Sequence, residues 1–236
     1  YTDWLWFNQL DFATVFTTQI IGQTLAFLAG LIVVAIVSSI GLILAWRTRP
    51  IYLRMPDESP FAQYQQIIEG LRKVIMIGLP LGLGILGGMI SAREWQTAAL
   101  WLNRSEFGIT DPQFGFDVSF FVFDLPFLIF AVGFLSGTVL LTLLINGGMH
   151  LIYGGIRFTG REVSVSKPAR IQLAVLVAIY LVTQGLSTWL SQYSGVTNQG
   201  ALFTGVNYTD ANAVIPGLQI LSLISVVVAA MFLVTA

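Results

Sequence analysis

Acidic side chains in three stretches of the sequence have the types and spacing best suited to chemistry. Asp111, Asp117 and Asp210 are candidate metal ligands, because carboxylates and the carbonyl groups of glycine-rich turns are ligands that a hard cation such as Ca²⁺ prefers. Paired acids can also act in general acid–base catalysis. The alternative is that the acids cap helices and turns, which accounts for Asp111, Asp124 and Asp210 without a ligand. The three stretches carry Asp3, Asp11, Glu106, Asp111, Asp117, Asp124 and Asp210.

The single histidine, His150, is another side chain that could bind a cofactor. A haem held by two histidines, or a zinc site, needs more nitrogen or sulfur ligands than a sequence with one histidine and no cysteine contains. His150 could ligate one pigment or metal ion if other ligands came from elsewhere. The alternative is a histidine at the membrane surface or at a helix end. The sequence therefore points to no particular cofactor.

Five long apolar stretches must position these side chains. They run from about 20–46, 74–92, 126–149, 171–190 and 214–236, and none of them contains Asp, Glu, Lys or Arg. A bilayer core of about 30 Å requires about 20 helical residues at about 1.5 Å each. Each stretch is therefore long enough to span a membrane as an α-helix, and the fold class predicted is an all-α, polytopic bundle.

The composition supports the same class and excludes others. Hydrophobic residues make up 56% of the chain and charged residues only 10%, whereas about a quarter of the residues in soluble domains are charged. The formal net charge of −1 offers no basic stripe for nucleic acid. We therefore expect the lipid bilayer to be the principal partner and exclude nucleic acid.

The basic residues predict the orientation of the helices. Five of the eleven Lys and Arg residues lie in 47–73 and four lie in 157–170. Short loops rich in Lys and Arg stay on the cytoplasmic side of a membrane. We therefore predict that these two loops are cytoplasmic, that the start of the chain lies outside, and that residue 236 reaches the cytoplasmic face.

Several segments are expected to lie at the membrane surface. Residues 95–102 predict a short outer helix in the interface, because so few residues cannot cross a bilayer. A second amphipathic segment, from Phe61 into the second span, is predicted at the cytoplasmic surface. Tryptophan prefers the headgroup zone, which makes five tryptophans candidate anchors: Trp4, Trp6, Trp46, Trp95 and Trp101.

The basic residues around the first cytoplasmic loop have a second interpretation besides orientation. Clusters of Lys and Arg beside a membrane span can hold the headgroups of anionic lipids. Orientation is the simpler explanation, and lipid binding is the alternative. The residues concerned are Arg47, Arg49, Arg54, Arg72 and Lys73.

The second span is rich in glycine and predicts close helix packing. Gly78 and Gly82, like Gly84 and Gly88, have the four-residue spacing that lets two helix backbones approach closely in lipid. Pro80 between them removes one backbone hydrogen bond and is expected to kink the helix. The alternative is a hinge or broken helix that lines a path for a substrate.

Sequence runs in the outer segments resemble uncharacterised protein family 0182, large integral membrane proteins of cyanobacteria and actinobacteria. The runs are Tyr-Thr-Asp-Trp-Leu-Trp-Phe at 1–7, Asp-Pro-Gln-Phe-Gly-Phe-Asp at 111–117, Phe-Val-Phe-Asp-Leu-Pro-Phe at 121–127 and Tyr-Thr-Asp-Ala-Asn-Ala at 208–213. The resemblance implies about seven helices followed by a large non-cytoplasmic domain. This chain would then be the middle of the bundle, with an upstream helix and the outer domain beyond it. The resemblance brings no activity with it.

The spans restrict the function that we expect. Their polar side chains include Asn146, Gln172 and Gln184, and amides can bond between helices or line a polar path. Without a catalytic constellation, a non-enzymatic transport-like or envelope-handling component of a bacterial inner or thylakoid membrane is expected. The first alternative is a scaffold or accessory subunit of a larger membrane complex. A membrane enzyme that acts through the outer acids is the second.

Overall fold

A computed structural model describes residues 2–48, 70–159, 162–197 and 205–236. Seven α-helices occupy most of these described residues. The predicted amphipathic segment from Phe61 lies outside them, as do Arg49 and Arg54. The helices are α1 (Thr2–Gln9), α2 (Ala13–Arg47), α3 (Arg72–Arg93), α4 (Trp95–Leu102), α5 (Leu125–Ile152), α6 (Lys167–Ser191) and α7 (Ile215–Val234).

Five of these helices, α2, α3, α5, α6 and α7, are long and apolar enough to cross a membrane. The predicted all-α polytopic bundle of five spans is therefore confirmed, and α4 coincides with the predicted short outer helix. The helices extend past the apolar stretches. Helix α2 has 35 residues, which corresponds to roughly 50 Å and exceeds a bilayer core of about 30 Å.

Two of the spanning helices are preceded by a π-helical turn. Phe120–Asp124 leads into α5, and Asp210–Val214 leads into α7. Pro126 and Pro216 follow in the first turn of each α-helix. In a regular α-helix a proline ring collides with the carbonyl group four residues earlier. The wider π-turn accommodates the ring, so helical structure begins before each proline.

Asp124 does not cap α5, and the prediction that it is an N-cap is therefore wrong. Its side chain makes no capping hydrogen bond, because helical structure already runs through Phe120–Asp124. The carboxylate instead accepts a hydrogen bond of 3.1 Å from Trp101 Nε1 and pairs with Arg104 at 3.1 Å. Asp124 thereby fastens α4 to the start of α5.

The spanning helices pack in a row in the order α3, α2, α5, α6 and α7. Leu42 of α2 and Met149 of α5 share a buried cluster at the end of the row near Arg47 and Lys167, which we call the basic end. At the opposite end, Leu125 of α5 and Leu190 of α6 share a second cluster. Helices α2 and α6 make few direct contacts, which leaves a cleft between them beside α5.

A small β-hairpin at the basic end is a feature that the sequence reading did not predict. Strand β1 (Ile156–Thr159) pairs with β2 (Glu162–Val165) in antiparallel register, with Arg157 opposite Ser164. The hairpin overlaps the basic loop 157–170, since β1 begins one residue before it. The two residues between them, 160 and 161, lie outside the described residues. Alternating apolar residues such as Phe158, Val163 and Val165 suit a two-residue strand period.

Candidate functional site

A stripe of polar side chains runs along one face of α5. Thr138, Thr142, Asn146 and His150 are spaced four residues apart, so they lie on the same side of the helix. Their exposed fractions are 4%, 2%, 0% and 1%. This is an unusual concentration of buried polar groups for an apolar helix, and each group requires a hydrogen-bond partner.

Gln172 of α6 connects this stripe to two other helices. Its Nε2 donates to the carbonyl oxygen of Gly41 in α2 at 2.9 Å and to Asn146 Oδ1 at 3.1 Å. Its Oε1 lies 2.9 Å from His150 Nε2. Because an amide oxygen only accepts, His150 Nε2 carries the proton in this arrangement. Asn146 Nδ2 in turn donates to Thr142 O at 2.7 Å. We call these five residues the polar network.

Gly41 is required where the polar network meets α2. A Cβ atom at this position would lie 2.5 Å from Asn146 Nδ2 and 2.7 Å from Thr142 Cγ2. Real Cβ atoms do not approach other atoms so closely. The missing side chain therefore lets the backbone of α2 come within hydrogen-bonding distance of Gln172.

The polar network lies beside a cleft of about 650 Å³ between α2 and α6. The cleft is lined from Val37 to Thr48 on α2 and from Lys167 to Ile179 on α6, with Thr142 of α5 also contributing. Its volume is in the range of sites for small molecules. The walls are apolar, and Lys167 supplies a cation at the basic end. Ile40, which is 54% exposed, leaves the cleft open at its rim.

The polar groups beside the cleft are bonded mainly to one another. The amide of Gln172 uses both N–H donors within the polar network, and its oxygen accepts from His150, so no amide N–H is left for the cleft. His150 binds Gln172 and lies in the last turn of α5, which agrees with the predicted position at a helix end. Within the described residues, no three or more His, Asp or Glu side chains are grouped so as to hold a metal ion.

Asp117 organises the loop between α4 and α5. Its carboxylate accepts backbone hydrogen bonds from Phe107 at 3.1 Å, Gly108 at 2.8 Å and Ser119 at 2.8 Å. Hydrogen bonds from the side chain and backbone of Ser119, and then from Phe107, lower the pKa of Asp117 from 3.8 to about 2. The ionised carboxylate therefore stabilises the conformation of the loop backbone.

Asp111 and Asp210 make similar local hydrogen bonds. Asp111 accepts from the backbone of Gln113 at 3.0 Å and Phe114 at 2.7 Å, which closes a turn. Asp210 and Asn207 each accept the other's backbone N–H, at 3.3 Å and 2.8 Å, in a capping box ahead of α7. The structure does not bring these acids together with Asp117 as one cluster of metal ligands in the described residues.

The five tryptophans have different surroundings. Trp4 and Trp6 are 43% and 58% exposed. Trp46 makes an edge contact with Tyr153 at 5.2 Å, and Trp101 stacks on Phe127 at 4.1 Å between ring centres. The ring of Trp95 lies against Gly22. Their role as anchors at a membrane surface stays a prediction.

The glycines of α3 divide between two faces. A Cβ at Gly84 would lie 2.9 Å from Leu31 O, and one at Gly88 would lie 2.8 Å from Phe27 O. These two glycines are buried against α2. Gly78 and Gly82 lie on the exposed side. Among the described residues, nothing lies within 4 Å of a Cβ at Gly82, and only Val74 of the same helix lies near one at Gly78.

Several residues of the site were missed by reading the sequence. Thr138 and Thr142 belong to the same four-residue ladder as Asn146 and His150, and that spacing is the signal that could have revealed a buried polar face. The close approach at Gly41 has no sequence signal of its own. From the sequence, Lys167 contributes only to the predicted orientation of the chain. Its position in the cleft depends on how α2 and α6 pack.

Known proteins resemble this chain over its whole length. The family described as Uncharacterised protein family (UPF0182) matches residues 1–236. A UPF0182 protein of Clavibacter sepedonicus is 44% identical over 238 residues, which cover 100% of this chain and 24% of that protein. A relative from Leifsonia xyli subsp. xyli is 42% identical over 238 residues, again 100% of this chain and 24% of that protein.

A UPF0182 protein of Mycobacterium marinum is 39% identical over 233 residues, which cover 98% of this chain and 23% of that protein. The chain thus spans about a quarter of the length of the curated relatives it matches. No solved structure matches the chain.

Proposed function

We propose that this chain, which belongs to the uncharacterised protein family UPF0182, forms part of the membrane bundle of a non-enzymatic, transport-like or envelope-handling protein. The observation that carries the proposal is the cleft of about 650 Å³ between α2 and α6. It lies beside spanning helices and is walled by apolar side chains. Such a cleft suits an apolar or amphiphilic molecule from the membrane, because hydrocarbon walls cannot replace the water around an ion.

The polar network supports this function by holding the cleft open. Gln172 joins α6 to α2 and α5 through hydrogen bonds of 2.9 Å and 3.1 Å. These bonds fix how far apart the cleft walls lie beside Thr142. Because both N–H groups of this amide are bonded and its oxygen has a partner, the cleft presents little polar surface that a hydrocarbon ligand would have to leave unsatisfied.

The location is part of the same proposal. We place the chain in a bacterial inner membrane, or in a thylakoid membrane, with its basic end in the cytoplasm. The positions of Lys73, Arg157 and Lys167 at one end of the helices support this orientation. The relatives named above come from bacteria, which supports a bacterial membrane.

Reconstitution of the full-length protein into lipid vesicles tests the transport-like function. Fluorescent phospholipids and apolar solutes should cross the bilayer faster than in empty vesicles. Val175→Trp, which fills the cleft, should abolish the increase. Val227→Trp, on the exposed side of α7, serves as the control and should leave it intact. Failure of every lipid and solute to move would contradict the proposal.

A scaffold or accessory subunit is the second candidate. Its support is the exposure of α7. In the most apolar window of α7, 11% of the residues are buried, against 28% in the corresponding window of each other span. Further membrane helices could cover this surface. Purification in mild detergent should then yield a partner in fixed ratio, whereas a lone or self-associated protein would count against a scaffold.

A further inference from the structure

We propose that the cleft between α2 and α6 binds one anionic phospholipid, with an acyl chain between the helices and the phosphate at Lys167. The inference rests on the proposed function, since it names the class of molecule handled. It places the lipid in the leaflet at the basic end of the bundle. Two features of the cleft carry it: its length and its distribution of charge.

The length of the cleft matches one leaflet of a membrane. Its lining runs over twelve residues from Val37 to Thr48 on α2 and over thirteen from Lys167 to Ile179 on α6. At about 1.5 Å for each step along the helix these distances are about 17 Å and about 18 Å. Half of a bilayer core is about 15 Å. An acyl chain that enters at the basic end would thus reach the membrane centre within the cleft.

The distribution of charge matches an amphiphile with an anionic head. Beyond the basic end, the walls consist mainly of aliphatic side chains such as Ile40, Leu44, Ile171 and Val175. Lys167 lines the cleft at the basic end, and Arg47 lies in the last turn of α2 at the same end of the bundle. Lys167 makes no ion pair with a carboxylate in the part of the chain that the structure describes. A phosphate group complements this cation at headgroup depth.

Lipid binding by the full-length protein tests the site directly. We would measure by native mass spectrometry how much phosphatidylglycerol and phosphatidylcholine the protein retains. The unmodified protein should prefer phosphatidylglycerol. Lys167→Gln should weaken that binding about fivefold, since one surface cation contributes about that much. It should weaken phosphatidylcholine binding less, because the choline cation offsets the charge of the phosphate. Lys73→Gln, at the same end but outside the cleft lining, is the control and should have little effect.

A second variant separates the tail from the head. Val175→Trp should reduce retention of both lipids, while Val227→Trp should not. Added phosphatidylglycerol should also raise the melting temperature of the unmodified protein, because a ligand stabilises the state that binds it. Lys167→Gln should shrink this rise, which identifies a folded variant with a damaged site. Inorganic phosphate should not displace the lipid.

Several outcomes would overturn the site. They are an equal effect of Lys73→Gln, unchanged lipid retention by Val175→Trp, crosslinking of position 175 to another segment of the protein, or binding of inorganic phosphate with the same dependence on Lys167. The two proposals fail separately. Lipid that binds the cleft but never moves contradicts transport and leaves the site intact. Lipid movement by the unmodified protein, together with unchanged lipid retention by Val175→Trp, contradicts the site and leaves transport intact.

Discussion

Gln172 shows what a single polar residue does inside an apolar bundle. Its amide bonds to three groups on two other helices, Gly41 O, Asn146 Oδ1 and the ring of His150. An amide in lipid has no water to replace lost partners, so it bonds to protein groups. The expectation that span amides bond between helices is thus confirmed for Gln172. Gln184 differs, because its Nε2 donates to Tyr180 of its own helix at 2.7 Å.

Replacement of Gln172 by leucine should destabilise the bundle by about 1–2 kcal/mol, because an interhelical hydrogen bond in a membrane contributes up to about that much to stability. The change leaves Asn146 Oδ1 and His150 Nε2 without the partner described above. Thermal unfolding of the full-length protein in detergent would measure the loss. Gln184→Leu is the matched control and should cost less, since its bond lies within α6. Equal losses from the two variants would contradict a special role for Gln172.

Asp117 gives the outer loop a defined dependence on pH. Its pKa is about 2 in the folded protein against an ordinary value of 3.8. The stabilisation by the ionised carboxylate is therefore complete above about pH 4 and is lost as the pH falls through about 2. Hydrogen exchange of residues 107–119, corrected for intrinsic rates, should show protection that persists at pH 3. Loss of protection centred near 3.8 would contradict this.

A substitution tests the same carboxylate at neutral pH. Asp117→Asn removes the charge that strengthens the bonds to Phe107, Gly108 and Ser119, and exchange of their amides should speed up severalfold. Glu106→Gln, on an exposed neighbouring residue, should leave the exchange unchanged. If both variants behave alike, the loop does not depend on Asp117.

The acidic side chains differ in how well the sequence predicts their hydrogen bonds. The turn-forming role of Asp111 and the capping role of Asp210 were the alternatives to metal binding, and both hydrogen-bond patterns are present. Asp124 was misread because its partners, Trp101 and Arg104, depend on how α4 folds back over the start of α5. Side chains that bond within a few residues are readable from sequence; those that bond across the fold are not.

Helix α3 packs against α2 through a strip of small residues. The buried side of α3 carries Gly84, Gly87, Gly88 and Ser91. A Cβ atom at Gly30 of α2 would lie 2.7 Å from the carbonyl oxygen of Gly87. Lipid tails are as apolar as leucine, so the helices associate through close packing and not through a hydrophobic drive. The four-residue spacing alone cannot say which glycine pair faces the neighbouring helix.

Alanine substitutions should separate the two glycine pairs. Gly88→Ala should destabilise the protein by about 1–3 kcal/mol, the usual cost of overpacking, because the new Cβ would lie 2.8 Å from the backbone oxygen of Phe27. Gly84→Ala should behave similarly. Gly82→Ala should be neutral or slightly stabilising, since alanine favours helix. Unfolding in detergent measures all three, and a Gly82→Ala loss as large as that of Gly88→Ala would refute the assignment.

Elements differ in how well the sequence predicts them. The five spans follow from composition, because only an apolar helix satisfies its own backbone in lipid. The π-turns before Pro126 and Pro216 could not be predicted, because prolines usually mark where a helix starts. The hairpin of β1 and β2 was hidden in a glycine-containing basic loop, where a four-residue strand gives too short a pattern. The cleft arises from packing order, which no local pattern encodes.

At the scale of the whole molecule, the row of helices leaves large apolar surfaces exposed. Each of the five spans is less than one third buried in its most apolar window. The chain spans about a quarter of the length of its relatives. Its exposed apolar surfaces suit contact with lipids and with further helices. If the five long helices cross a bilayer, the basic and outer ends of the bundle lie on its opposite sides, since successive long helices along the chain run in opposite directions.

Cysteine labelling of intact cells tests whether the two ends of the bundle lie on opposite sides of a membrane. The 236 residues contain no cysteine, so single cysteines can be introduced into the full-length protein once any others are removed. Ile109, Tyr208 and Val163 are 65%, 84% and 59% exposed. An impermeant reagent should label positions 109 and 208 from outside and reach position 163 only after the membrane is opened. Labelling of 109 and 208 from different sides, or of 163 and 109 from the same side, would contradict the membrane-spanning arrangement.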